Sequence, residues 1–114
     1  MYGYWVYMLA SKPRGTLYIG VTSGLIRRIE EHRQGVGSGF TRRYRACMLV
    51  WFEEYADVNE AIQREKTMKG WPRAWKVNLI ERSNPHWIDL YPSLLGMLKI
   101  PTDWHLHAQP KPDE

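Results

Sequence analysis

The chain has 114 residues and a mass of 13.5 kDa, with 44% hydrophobic and 25% charged side chains, which suits one compact domain with a modest core and leaves little room for two. Its longest apolar runs, Trp5 to Ala10 and Ala46 to Phe52, are too short to span a bilayer, no basic leader precedes the first, and Cys47 is the only cysteine. No membrane span, intrachain disulfide or thiolate zinc site is therefore expected, and a reducing cytoplasm is the expected setting. The net charge of +4 is carried entirely between Arg27 and Arg45, by six arginines against two glutamates, and this fork-shaped side chain matches phosphate.

Tyr2 to Leu9 is rich in aromatic and β-branched residues and runs into a turn cluster ending at Gly15, so it reads as the first arm of a hairpin. In the second arm Leu17, Ile19 and Val21 alternate with Tyr18 and Gly20, placing Tyr18 on the opposite face from that apolar set. A loop from Ala10 to Gly15 would set Tyr7 opposite Tyr18, where the two phenols share a face. Paired tyrosines in hairpins also occur simply as packing residues.

Ser23 is the expected N-cap of a helix, with Gly24 in the turn and Leu25, Ile26 and Ile29 on one stripe. Arg28 and His32, four residues apart, share a neighbouring face, which brings an arginine and a histidine towards the strand tyrosine. Gly35 fits a C-terminal cap. The Gly35 to Gly39 loop lacks the Gly-Lys-Ser/Thr pattern of a nucleotide-binding loop and is expected to clamp a polynucleotide backbone instead. Arg27, Arg33, Arg42, Arg43 and Arg45 are the candidate nucleic-acid contacts; a merely solvated basic face is the plainer alternative.

Cys47 to Phe52 reads as a third strand, buried on both sides. Asp57 and Glu60 form a capping-box variant that opens a second long helix, with Val58, Ala61, Ile62, Glu65 and Met68 on one stripe. Glu65 breaks that apolar stripe, so its carboxylate needs a basic partner or a cation to offset desolvation. Trp71 and Pro72 interrupt the helix. Pro72 is placed to start the next one, in which Trp75 and Leu79, four apart, read as structural. Ser83 to Pro85 end it. Residues 86 to 100 are expected to cover one edge of the sheet, completing a domain over 1–100, with 101–114 a loose tail in which His105 and His107 are incidental.

Tyr7, then Tyr18-Ile19-Gly20, then Arg28, His32 and Glu65 in this order and spacing resemble the GIY-YIG nuclease family, most closely its small single-domain bacterial members. The second half of the family's signature stands verbatim as Tyr18, Ile19 and Gly20. The first half reads Trp5-Val6-Tyr7, keeping the tyrosine and replacing the glycine by tryptophan. The likeness runs from about Tyr4 to about Leu90 and includes Arg64 to Lys66 and Asn84-Pro85. It implies an α+β fold, a three-stranded antiparallel sheet flanked by helices, and metal-dependent cleavage of DNA phosphodiesters. Carried over by position, Tyr7, Tyr18, Arg28 and His32 are catalytic and Glu65 is both catalytic and the metal ligand.

Phosphodiester hydrolysis needs an activated water in line with the leaving oxygen and positive charge on the phosphate oxygens. A lone carboxylate at Glu65 suits one hard ion, Mg²⁺ or Mn²⁺, that keeps several waters; a two-metal site would need more acids. Arg28 is the expected phosphate clamp and Tyr7 the base, with Tyr18 and His32 orienting groups or exchanging protons and Gly20 allowing a tight backbone turn. Structured or damaged DNA, as in repair or recombination, is the expected substrate, cut with little sequence preference. A non-catalytic nucleic-acid-binding module and an RNA nuclease are the rival readings.

Overall fold

The computed structural model describes residues 3–36 and 39–96. In chain order it contains β1 (Tyr4–Ala10), β2 (Leu17–Thr22), α1 (Leu25–Arg33), α2 (Gly39–Tyr44), β3 (Met48–Tyr55), α3 (Val58–Lys69) and α4 (Arg73–Ser83), and residues 91–96 are again helical. The strands form one antiparallel sheet in the order β2-β1-β3, giving the expected α+β architecture. The tail over 101–114, with His105 and His107, and part of the glycine loop lie outside the described residues. Among the described residues no helix is long and apolar enough to cross a membrane.

β1 is the middle strand and is buried from Trp5 to Ala10, because both faces of the sheet are covered. Strand alternation sorts its side chains into two clusters. Val6, Met8 and Ala10 pack with Ile19 and with Ala61, Met68 and Ile80 of the α3/α4 layer, while Trp5, Tyr7 and Leu9 pack with Leu25 and Ile29 of α1 and with Tyr91 and Leu94. Met68 and Ile80 have no exposed surface, and burying a side chain of that size contributes roughly 1.5–3 kcal/mol. The expected cap on α3 is present: the Asp57 carboxylate accepts from the Glu60 backbone N–H at 3.0 Å. Helix α1 differs from expectation. Its N-cap is Gly24 without a side-chain bond, and Thr22, not Ser23, ties the turn by accepting from the Gly24 N–H at 3.1 Å. Its C-terminus closes as anticipated on Gly35, at φ 81°, with the Gly35 and Val36 N–H groups returning to the His32 and Glu31 carbonyls.

The hairpin register also differs. Tyr7 faces Gly20, and Tyr18 faces Leu9. The loop begins one residue later than the symmetric closure assumes, because Ser11 and Thr16 close it through two bonds of 3.0 Å, so Thr16 belongs to the turn. The resulting shift is two residues, which preserves the face, and Tyr7 and Tyr18 remain on the α1 side with ring centroids 6.2 Å apart.

The apolar run in β3 is continuous because the strand is bulged. Met8 pairs with Trp51 but Leu9 with Leu49, so Val50 is the extra residue, and it joins Trp51 in the α3/α4 cluster. The chain after α4 bonds to the β3 backbone beside this bulge. Asn84, 3% exposed, donates from Nδ2 to the Val50 carbonyl at 3.2 Å, and Asp89 Oδ1 accepts from the Leu49 N–H at 3.1 Å. Residues 84–90 thus cover the β3 edge, 86–90 being part of the segment 86–100 expected to do so; residues 97–100 lie outside the described residues.

Candidate active site

The Tyr7 side chain descends from the centre of β1 onto the α1 face, where it has 1% exposure. Space for its phenol exists only because its cross-strand neighbour is Gly20. A Cβ there would lie 2.4 Å from Tyr7 Oη and 2.6 Å from Cζ. This corrects the reading of Gly20 as a turn residue: it sits inside β2, and what the position provides is room for a ring.

Helix α1 delivers the other groups. Leu25, Ile29 and His32 form its buried stripe, so the imidazole enters the core at the end of an apolar row, 4% exposed, with Nε2 3.0 Å from Tyr7 Oη. The Tyr18 ring stands edge-on to the same imidazole, 5.3 Å between centroids, and Tyr7 and His32 are 5.9 Å apart by the same measure. Arg28, one turn earlier, is held by Glu31 at 2.9 Å and keeps its guanidinium partly exposed. Tyr18 and Arg28 therefore form the rim, and Tyr7 and His32 the floor.

Burial sets the protonation of the floor. It pushes the Tyr7 phenol well above its ordinary value, reinforced by Tyr18, while the Arg28 guanidinium pulls the other way. It pushes the His32 imidazole down to about 4, and Arg28 adds to that. At neutral pH the floor is a neutral phenol bonded to a neutral imidazole, a hydrogen-bonded pair along which a proton can move from the phenol to the imidazole.

Glu65 comes from the other helical layer. It lies on α3, in the layer across the sheet from α1, with a side chain 13% exposed and paired to Lys69 at 2.5 Å. The link to the rim is Lys69, which lines a hollow of about 250 Å³ together with Tyr18 and Lys76 at the β2 edge. No group of three or more His, Cys, Asp or Glu side chains able to hold a metal occurs among the described residues. A largely buried carboxylate whose partner is a half-exposed lysine fits one hard ion completed by water and substrate oxygens. Lys69 and Lys76 are basic neighbours of Tyr18 that sequence reasoning missed, because they lie far outside the arginine window.

That window is divided by the fold. Arg27 is exposed, with Glu31 at 3.9 Å, and Arg43 and Arg45 are exposed on and after α2. The Arg42 side chain lies outside the described residues. Arg33 is otherwise engaged: its guanidinium is bound to the Asp89 carboxylate and lies 4.5 Å over the Tyr91 ring, which fastens α1 to the β3 cover.

A family model described as the GIY-YIG catalytic domain matches residues 3–78, which spans the hairpin, α1, β3 and α3. The chain belongs to the GIY-YIG family. Membership implies nuclease-type activity, which in this family generally depends on a divalent metal. Among curated relatives, a UPF0213 protein of Pediococcus pentosaceus is 31% identical over 81 residues, covering 71% of this chain and 84% of the relative. A UPF0213 protein of Desulfotalea psychrophila is 34% identical over 88 residues, 76% of this chain and 80% of its own. A third, from Staphylococcus haemolyticus, is 33% identical over 78 residues, 68% and 94% respectively. No solved structure matches the chain. In GIY-YIG terms the divergent first half, Trp5-Val6-Tyr7, is accommodated simply: Trp5 packs into the α1-side core against Phe52, 5.8 Å between ring centroids.

Proposed function

We propose that this GIY-YIG protein is a divalent-metal-dependent endonuclease that hydrolyses DNA phosphodiesters in structured or damaged DNA, in repair or recombination, with Tyr7, Tyr18, Arg28, His32 and Glu65 as its catalytic set. The observation that carries the reading is the 3.0 Å contact between the Tyr7 phenol and the His32 imidazole beneath a rim of Tyr18 and Arg28. A core tyrosine needs a partner, but a neutral histidine, a second phenol and a half-exposed guanidinium around it make a poor packing solution and a good phosphate site.

Arg28 binds the scissile phosphate through its planar fork and stabilises the charge that grows on it. An anion there offsets the guanidinium and raises the proton affinity of both floor groups, which disfavours a bare Tyr7 phenolate and favours a relay: Tyr7 takes the proton of the attacking water as it passes its own to His32 Nε2. Water reaches Tyr7 past Tyr18, whose hydroxyl orients it. Glu65 would hold a single Mg²⁺ or Mn²⁺, which when bound supplies Lewis-acid stabilisation of the phosphate oxygens. Arg27, Arg43 and Arg45, with Lys69 and Lys76, supply backbone contacts, so binding depends on salt more than on sequence.

The test is cleavage of supercoiled plasmid and branched oligonucleotides, with RNA in parallel, in Mg²⁺ and in chelator. Metal-dependent DNA cutting that is lost in Glu65→Ala while binding persists supports the reading. Binding without cutting by the wild type makes the protein a docking module, and cutting confined to RNA moves the substrate.

A further inference from the structure

A second place on the surface gathers aromatic, cationic and amide groups, and the nuclease reading makes no use of it. Where α3 turns into α4, a hollow of about 380 Å³ is lined by Arg64, Trp71, Trp75, Asn78, Leu79 and Arg82, within the size range of small-ligand sites. The sequence reads Trp75 as structural, yet it is 56% exposed, and the side chain that α4 commits to the core is Ile80. One exposed indole alone would need no explanation. This one stands edge-on to Trp71, with ring centroids 6.0 Å apart at 68°, while Arg64, anchored on Glu53 at 3.3 Å, lies 5.3 Å over the Trp71 ring. The Trp71 face is thus occupied and Trp75 remains open.

Neither the Arg82 guanidinium nor the Asn78 amide bonds to another side chain among the described residues. A flat apolar face, a two-way amide and a guanidinium are together the equipment for holding one nucleotide: stacking for the base, paired hydrogen bonds for its edge, charge for its phosphate. A cationic ligand such as a methylated lysine would also seek the indoles, but Arg64 and Arg82 repel it.

We propose that this hollow binds one unpaired base of a single-stranded or frayed DNA segment, stacked on Trp75 with its edge at Asn78 and the adjoining phosphate on Arg82. The proposal rests on the nucleic-acid reading of the active site and adds to it a substrate feature, an unpaired nucleotide held away from the scissile bond. The hollow is on the α3/α4 side of the sheet, opposite Tyr7. Lys69 and Lys76, on the same two helices and beside Tyr18, offer phosphate contacts for a strand rounding the β2 edge between the two sites.

The experiment compares the full chain with its Trp75→Ala, Trp75→Phe and Arg82→Ala variants in chelator. Anisotropy is read on a labelled single-stranded oligothymidylate of about fifteen nucleotides and on a blunt duplex of the same length, a span suited to such sites. Loss of one stacked base predicts that Trp75→Ala weakens single-strand binding about five- to a hundredfold and leaves the duplex within about twofold, with Trp75→Phe recovering most of the difference. Arg82→Ala should lower single-strand affinity and flatten its salt dependence by about one phosphate contact. Unchanged single-strand binding by Trp75→Ala, equal losses on both substrates, or tighter wild-type binding to an acidic peptide than to the oligonucleotide overturns the proposal. A wild type that cuts DNA and shows any of these results removes the hollow alone. One that neither binds nor cuts DNA removes the nuclease reading with it.

Discussion

Tyr7 Oη and His32 Nε2 lie 3.0 Å apart with both residues almost wholly buried, so the chain has placed its two most chemically useful neutral groups in contact under a lid of its own side chains. Such a contact stabilises the fold and, in the proposed mechanism, conducts the proton. Tyr7→Phe removes the hydroxyl and keeps the ring. It should cost about 1–3 kcal/mol of stability, the usual penalty when one partner of a buried hydrogen bond is deleted. DNA cleavage should fall about 10²–10⁴-fold, the range for a lost acid–base group. Thermal melting and single-turnover cleavage separate the two effects. A folded Tyr7→Phe variant that cuts within a few-fold of wild type rules out Tyr7 as the base.

Gly20 offers a second test, because its hydrogen is all that fits between β2 and the Tyr7 ring. In Gly20→Ala the new methyl would meet Oη at 2.4 Å and Cζ at 2.6 Å, and the ring, 1% exposed, has no vacant space to retreat into. Overpacking of this kind costs about 1–3 kcal/mol and should pull the phenol off His32, lowering cleavage along with stability. The clash is pairwise, so the two positions should couple. In a Tyr7→Ala background the same Gly20→Ala change should cost little, giving a clear interaction energy in a urea-denaturation cycle. Additive losses would mean that the strand itself, not the ring, rejects the methyl.

What could be seen in advance was whatever depends on local spacing. Strand alternation put Tyr7 and Tyr18 on one face, helical spacing set Arg28 beside His32, and Asp57 with Glu60 marked the start of α3. What escaped depends on partners far along the chain. The hairpin register turned on Ser11 and Thr16 closing the loop, the β3 bulge on Asn84 and Asp89 arriving to bond its backbone, and the role of Gly20 on a ring in the adjacent strand. α4 shows why periodicity misled for Trp75: its buried face is narrow, centred on Ile80, and the indole found Trp71 instead of the core.

The depressed imidazole of His32 makes stability depend on pH in a defined window. An unfolded chain protonates this histidine below about pH 6.5, whereas the folded protein refuses the proton until about 4. Between those values acid favours the unfolded state, so this contribution is fully present above about 6.5 and is lost as the pH falls towards 4. For a side chain 4% exposed, the expected loss from pH 7 to pH 5 is about 2 kcal/mol. Urea midpoints measured across that range should fall for the wild type and fall less for His32→Gln. A pH profile unchanged by the substitution would show that the imidazole titrates normally.

Arg27 and Arg33, six residues apart on α1, should respond to removal in opposite ways. Arg27 is 70% exposed with a carboxylate only at 3.9 Å, so Arg27→Ala should leave stability nearly unchanged, reduce DNA affinity and lower the salt slope by about one counterion. Arg33 is committed to Asp89, whose other oxygen accepts from the Leu49 and Tyr91 backbone at 3.1 Å each, and Tyr91 in turn donates to Glu30 at 2.6 Å. Removing Arg33 leaves a partly buried carboxylate short of its cation and loosens the cover over β3. Arg33→Ala should therefore lower stability by about 1–3 kcal/mol and leave the salt dependence of binding alone. Asp89→Ala, which also strips acceptors from two backbone N–H groups, should cost more than Arg33→Ala. Melting temperatures paired with binding at several salt concentrations decide the point: a lower salt slope in Arg33→Ala at unchanged stability would return this arginine to the DNA surface.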